Sequence, residues 1–459
     1  LESIFEKKEF MMEALERKLG TFSATAIVVA NMIGTGIFTM SGLLAANLPS
    51  PGWVLLCWLF GGIIAIAGAL CYAELATRMP EAGGEYVYLK KLYHPALGFL
   101  AGWTSLIVGF SAPIAAAAMG FSEYIHAGLN SQLLQLDSTQ LVIFNKGIAV
   151  SIIALFTFLH YFGLRLGSRV QNVLTVLKII IVAGLASLGL LLGNGSGPSL
   201  SLRGESSGIM AIGTAMMLVM FAYSGWNASA YIAGEIRRPK KTIPVSLIGG
   251  TSIVIVLYLA INLFIFRMVP FSDLKGVIPV VETAAVQAFG EGMGKVVSLL
   301  VGVGLLSCLS AFIMIGPRVY YAMAKDRLFF PFAADVHKRY KVPGKSVLVQ
   351  GVIAVLMVLI GSFEQLIIYI AFALNIFLWL AVVGVFLARK RKVGEESAVK
   401  VWGYPFVPLF FLIASLVLMV FNYVNRPLES SAAVLTVLFG IPCYFLWVRG
   451  VRKAGKAGT

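Results

Sequence analysis

Apolar residues in this chain come in blocks of about 20, each closed by charged residues, glycine or proline. Twelve blocks are predicted as helices, at approximately 22–48, 53–77, 96–125, 145–164, 167–193, 209–234, 244–268, 295–323, 346–362, 365–388, 404–424 and 432–449. At 1.5 Å per residue, such a block covers the roughly 30 Å hydrocarbon core of a bilayer. Two blocks are broken at their midpoints. The first carries Asn31-Met32-Ile33-Gly34-Thr35-Gly36-Ile37-Phe38, and the sixth carries Met220-Phe221-Ala222-Tyr223-Ser224-Gly225-Trp226-Asn227. Unwound backbone at that depth strands amide and carbonyl groups that lipid cannot satisfy. Such breaks persist where the freed groups line a cavity, so a matched pair points to a transport site.

Composition agrees with a membrane protein. The chain is 59% hydrophobic and 12% charged, with a mean hydropathy of +0.89. Soluble domains carry about 25% charged residues. The net charge of +15 changes the picture only through its distribution. Of the 36 Lys and Arg, 29 fall in the two tails and in every second loop, among them Lys7, Lys8, Arg78, Arg237, Arg318 and Arg389. The alternate loops hold six, and Lys178 is left over. The positive-inside rule then expects both termini in the cytoplasm, which needs an even number of crossings. This charge gives no reason to expect a nucleic-acid partner. Residues 1–20 lack the apolar core of a signal peptide, so the first span is expected to double as the insertion signal. The four cysteines, Cys57, Cys71, Cys308 and Cys443, lie inside predicted spans without metal-ligand spacing. They read as packing residues, and no cofactor or metal is expected.

The expected organisation is a single integral-membrane unit. Residues 1–20 form a cytoplasmic tail, 21–193 a first five-helix repeat and 209–388 a second, inverted one. Residues 404–449 add accessory helices 11–12, and 450–459 are a second cytoplasmic tail. Each repeat opens with a broken helix, and the two start on opposite sides of the membrane. The connection 78–95 is aromatic and Gly-hinged, so it is expected to lie at the interface or dip inward. Residues 281–289 are expected to form a short helix over the outer mouth.

Chemistry concentrates at the breaks. Each half-helix start presents free amides and partial positive charge, and each half-helix end presents free carbonyls and partial negative charge. Two facing breaks therefore suit a zwitterion. Gly34 and Gly36 permit close approach and Thr35 adds a hydroxyl. Carbonyls near Phe221, Ala222 and Ser224 suit an ammonium, and Asn227 either binds the ligand or reseals the break. Close-packed helix crossings use the same small residues, but two breaks in register go beyond that reading. Lys178 lies about 16 Å along its helix, near mid-membrane, where a charge is expensive. Two roles fit it: a proton switch, or a fixed cation tying span 5 to the broken helix 1 and to Ser307 and Ser310 of span 8. Tyr72, Glu74 and Glu235 lie toward the inner helix ends, where gating or capping contacts are expected. No enzyme motif, phosphate loop or pair of mid-membrane carboxylates is present. The spans also lack a deep acid for a cationic substrate side chain, which favours small or medium neutral substrates, as does the Ala115–Ala118 run.

These residues carry a family resemblance. Ile33-Gly34-Thr35-Gly36-Ile37-Phe38, Leu70-Cys71-Tyr72-Ala73-Glu74-Leu75, Gly83-Gly84-Glu85-Tyr86, Arg169-Val170-Gln171 with Lys178, and Phe221 to Asn227 match together. The chain resembles the amino acid–polyamine–organocation superfamily, and within it the L-type amino acid transporters and their bacterial relatives, from Leu19 to Trp447. The resemblance implies an all-α integral-membrane fold of 12 transmembrane helices: a LeuT-type 5+5 inverted repeat with discontinuous helices 1 and 6, plus helices 11 and 12. It also implies sodium-independent amino acid transport, often by exchange, with Ile33, Thr35, Gly36, Phe221, Ser224 and Asn227 at the substrate. Thr35 stands where serine is commoner, and Ser224 where relatives with larger substrates often have glycine. The outer loop 127–144 lacks the cysteine that joins animal members to a heavy chain, so no disulfide-linked partner is expected. A proton-coupled symporter is the alternative within the class. A non-transporting sensor or scaffold on the same fold is the alternative outside it, but such a protein should show degraded breaks or an appended domain.

Overall fold

Helix runs through the described part of each of the twelve apolar blocks in the structure, a computed structural model describing residues 15–128, 137–192, 202, 208–360 and 363–456. Lys7, Lys8, Arg203 and most of the expected N-terminal tail lie outside the described residues, as do parts of the 127–144 loop and of the C-terminal tail. Among the described residues, nine helices are long and apolar enough to cross a membrane, and no strand longer than an isolated bridge occurs.

The first block is two helices, α1 (Thr21–Met32) and α2 (Gly36–Asn47), separated by a three-residue break. α3 (Pro51–Arg78) follows, with proline in its first turn, where the missing N–H has no helical partner to lose. The connection 78–95 folds as α4 (Glu85–Leu92), with Glu85, Tyr86, Tyr88 and Leu89 buried, so it dips into the protein. The third block is α5 (Pro95–Thr104), a π-helical segment at Ser105–Ser111, and α6 (Ala112–Gly128). A wide turn of that kind commonly marks a functional site. α7 (Ser138–Tyr161) and α8 (Leu164–Leu192) complete the first half.

The second half opens like the first. α9 (Ile209–Ala222) stops at a turn of Tyr223 to Asn227, and α10 (Ala228–Tyr231) resumes. α11 (Pro239–Pro244), a second π segment and α12 (Gly250–Met268) form the seventh block. α13 (Val280–Phe289) is the short helix expected at 281–289, and it packs on α12 and on α14 (Glu291–Ile315). Then follow α15 (Pro317–Lys325), α16 (Gly344–Ile360), α17 (Phe363–Lys390), α18 (Phe406–Asn425) and α19 (Pro427–Lys456). One large buried cluster runs through α1, α3, α4, α9 and α12, and its members include Trp58, Tyr72, Tyr223 and Tyr258. A smaller cluster joins α6, α7, α14 and α16. Leu56, Ile63, Val173, Ile180, Leu191 and Val256 stay exposed on long helices. Apolar surface of that extent suits lipid and not water.

Candidate functional site

The two breaks meet. A Cβ on Gly36 would lie 2.7 Å from Cβ of Ala222, so only glycine lets the start of α2 approach the end of α9 this closely. Across the same junction Gly225 turns with φ +99°, and a Cβ there would lie 2.9 Å from Oδ1 of Asn31. Around these contacts a cavity of about 150 Å³ opens. That is about ten times the space one water needs. Gly34, Thr35 and Gly36 line one wall, and Phe221, Ala222, Ser224 and Asn227 line the other. Ala116 and Ala117 of the alanine run lie on it as well, with Ser105 and Gly109 of the first π segment. Ile33 does not line it.

Several carbonyls freed by the breaks already have partners. Lys178, 1% exposed on α8, donates to Ala30 O at 3.2 Å and to Ile33 O. The hydroxyl of Tyr258 on α12 lies 2.7 Å from Met32 O and 2.9 Å from Ala222 O, sharing one proton between the two breaks. Lys178 thus ties span 5 to the broken helix 1, a contact that either of its two expected roles would make. Its expected hydroxyl partners are otherwise engaged. Ser307 Oγ lies 3.1 Å from Thr175 Oγ1, beside Gln171, and Ser310 Oγ lies 2.8 Å from His160 Nε2. Neither serine lines the cavity, and neither does Lys178. The ammonium instead meets two helix-1 carbonyls, Ala30 near the end of α1 and Ile33 in the break itself.

The residues expected to gate or cap form contacts on the side of the basic loops. Glu74, fully buried on α3, accepts from Arg78 Nε at 2.9 Å, Arg389 Nη2 at 2.6 Å and the Val401 amide at 2.8 Å. Glu235, beyond α10, takes Arg318 of α15 at 3.0 and 3.1 Å. The segment before α1 joins here, as the Leu19 amide donates to Glu235 O and the Arg237 amide donates to Leu19 O. Tyr72 turns elsewhere, donating to Glu85 at 2.7 Å.

Glu85 adds to the site an acid that the sequence reading, which found none deep in the spans, did not single out. It lines the cavity and is only 4% exposed. It accepts from the Asn227 amide at 2.7 Å and also from Tyr231. Glu85 lies in the connection between two spanning helices, and burial moves its carboxyl above the ordinary range, opposed by hydrogen bonds from Tyr231, Tyr72 and Asn227. Only the Gly83-Gly84 turn before an amphipathic run hinted at this placement. Asn31 was also missed. It lines the cavity, and its buried Oδ1 has no donor among the described residues. Helices α17 and α18 add Asn375, Phe377, Ser415 and Asn422 to the wall, a part in the cavity that the sequence reading did not give span 11.

Paired helix breaks around a cavity, inside an all-helical chain with exposed apolar spans, define a multi-pass membrane protein of the transporter class. The chain belongs to the amino acid permease family, which it matches over residues 19–446. It is 30% identical to the serine/threonine exchanger SteT of Bacillus subtilis over 435 residues, covering 94% of this chain and 97% of that protein. It is 30% identical to the mouse b(0,+)-type amino acid transporter 1, covering 96% and 90% respectively. It is also 25% identical to the human Asc-type amino acid transporter 1, covering 95% and 83%.

Proposed function

We propose that the protein is a sodium-independent secondary transporter of neutral L-amino acids, working by alternating access as an exchanger. The observation that carries this reading is the meeting of the two breaks, Gly36 on Ala222 and Gly225 on Asn31, around one cavity. A helix start at Gly36 aims free amides at a carboxylate, and the polar groups of the opposite wall suit an ammonium. The fold follows the same reading: twelve crossings with both termini cytoplasmic, two inverted five-helix repeats over 21–193 and 209–388, and α18 and α19 outside them. Gly34, Thr35, Gly36, Phe221, Ala222, Ser224 and Asn227 contact substrate, while Ile33 acts through the carbonyl that Lys178 holds. Lys178 serves as a built-in cation, with its ammonium on two helix-1 carbonyls. Tyr72, Glu74 and Glu235 organise the inner side. No disulfide-linked heavy chain is required.

The test uses purified protein in liposomes. Uptake of labelled alanine, serine and leucine is expected to require internal amino acid, to need no sodium and to ignore an imposed proton gradient. Uptake into empty liposomes that rises with an inward proton gradient would replace exchange by proton symport. No uptake of any amino acid under either condition would sink the transporter reading and leave a sensor or scaffold.

A further inference from the structure

Glu85 stands apart among the buried acids of this protein. Glu74 is matched by Arg78 and Arg389, and Glu235 by Arg318. Glu85 has neutral partners alone: Tyr72 from α3 and Asn227 from the helix-6 turn, both donating to Oε1 at 2.7 Å, with Tyr231 from α10 and its own backbone N–H. Tyr88, on its own helix, is a further titratable group beside it. No ion pair to Glu85 occurs among the described residues. Both 2.7 Å contacts fall on Oε1, and no partner of the carboxyl carries a charge. A buried charge with no counter-charge is strongly unfavourable, so a protein that places one in a cavity wall gains when a cation arrives there. Unlike Glu74 and Glu235, Glu85 lines the cavity.

We propose that the missing counter-charge comes with the substrate: Glu85 receives an ammonium group of the amino acid held in the cavity. This inference rests on reading the cavity as the amino acid site. The ammonium has two possible sources, the α-amino group common to all amino acids or the side-chain group of a lysine-like substrate. If the side chain supplies it, the transported range extends beyond neutral amino acids.

The experiment measures binding of alanine, lysine and lactate to the full-length protein in nanodiscs. Lactate keeps the carboxylate and size of alanine but has a hydroxyl in place of the ammonium. Glu85→Gln keeps an acceptor oxygen for Tyr72 and Asn227 and removes the charge. A charge-assisted hydrogen bond corresponds to a loss of roughly 10-fold or more in affinity. A loss for alanine and lysine alike supports the proposal and assigns the α-ammonium. A loss for lysine alone supports it and assigns the side chain. Glu85→Asp, which keeps the charge, is expected to recover part of either loss. Unchanged affinities overturn the proposal, as does an equal loss for lactate, which would mean that Glu85 only props up Asn227. A wild-type protein that binds neither alanine nor lysine fails at the earlier step, the reading of the cavity.

Discussion

A lysine ammonium near mid-membrane has to be held by something, and here the two carbonyls of Ala30 and Ile33 hold it. Removing it leaves both carbonyls buried beside a break already short of partners. Lys178→Met is therefore expected to lower alanine exchange by roughly 10-fold or more, since a hydrogen bond to a charged group contributes about 1.5–3 kcal/mol. Lys178→Arg should not restore exchange, because a planar guanidinium cannot place a compact charge in the same space. Rescue by arginine would mean that charge alone suffices. Lys178 was legible because one charge in an apolar run has few explanations. Glu85 was not legible. It precedes an ordinary amphipathic helix, and its burial depends on Tyr72, Asn227 and Tyr231, which lie 13 to 146 positions away. Asn31 was hidden differently, as one amide among small residues with nothing local to say that it faces Gly225.

At the level of elements, the two broken helices are held together by close backbone approach and by one hydroxyl. The breaks could be read from the sequence because Gly-Thr-Gly and Tyr-Ser-Gly-Trp-Asn interrupt runs that are otherwise apolar. That they touch could not be read, since it depends on how α2 and α9 pack. Gly36→Ala puts a methyl 2.7 Å from Ala222 Cβ, with backbone Cα at 2.8 Å behind it. Overpacking of this kind costs about 1–3 kcal/mol, and the helices must part to relieve it. The expected outcome is at least a several-fold loss of affinity for every amino acid tested, with membrane insertion intact. Tyr258→Phe removes the proton shared by Met32 O and Ala222 O. It should lower thermal stability by about 1–3 kcal/mol, and a bound amino acid should restore part of that loss. Equal stability of Tyr258→Phe and wild type, with and without ligand, would show that the hydroxyl does not bridge the breaks. The sequence also gave span 11 no part in the site. Ser415 and Asn422 are seven residues apart on one face of α18, a spacing that fits lipid-facing and cavity-facing stripes equally well.

Across the whole molecule, the ties on the basic side connect the elements that the proposed alternating access would have to separate. The Leu19–Ile236 bridge fastens the entrance of the first broken helix to the exit of the second. Glu235 carries that junction to α15 through Arg318, with the pair 0% and 2% exposed. If these contacts close the inner side, breaking them should favour the inward-open arrangement and loosen the requirement for exchange. Arg318→Ala strands a buried carboxylate, a change that costs roughly 3–5 kcal/mol, so some loss of thermal stability is expected as well. Glu235→Gln combined with Arg318→Met removes both charges and should be more stable than the single Arg318→Ala variant, because no lone charge remains buried. The double variant is therefore the informative one in transport. Liposomes loaded with labelled alanine should retain it in empty buffer when they carry wild-type protein and lose it when they carry the double variant. Retention by both would show that the Glu235–Arg318 pair only stabilises the fold and that the inner closure lies elsewhere, with Glu74 and Arg389 the next pair to break.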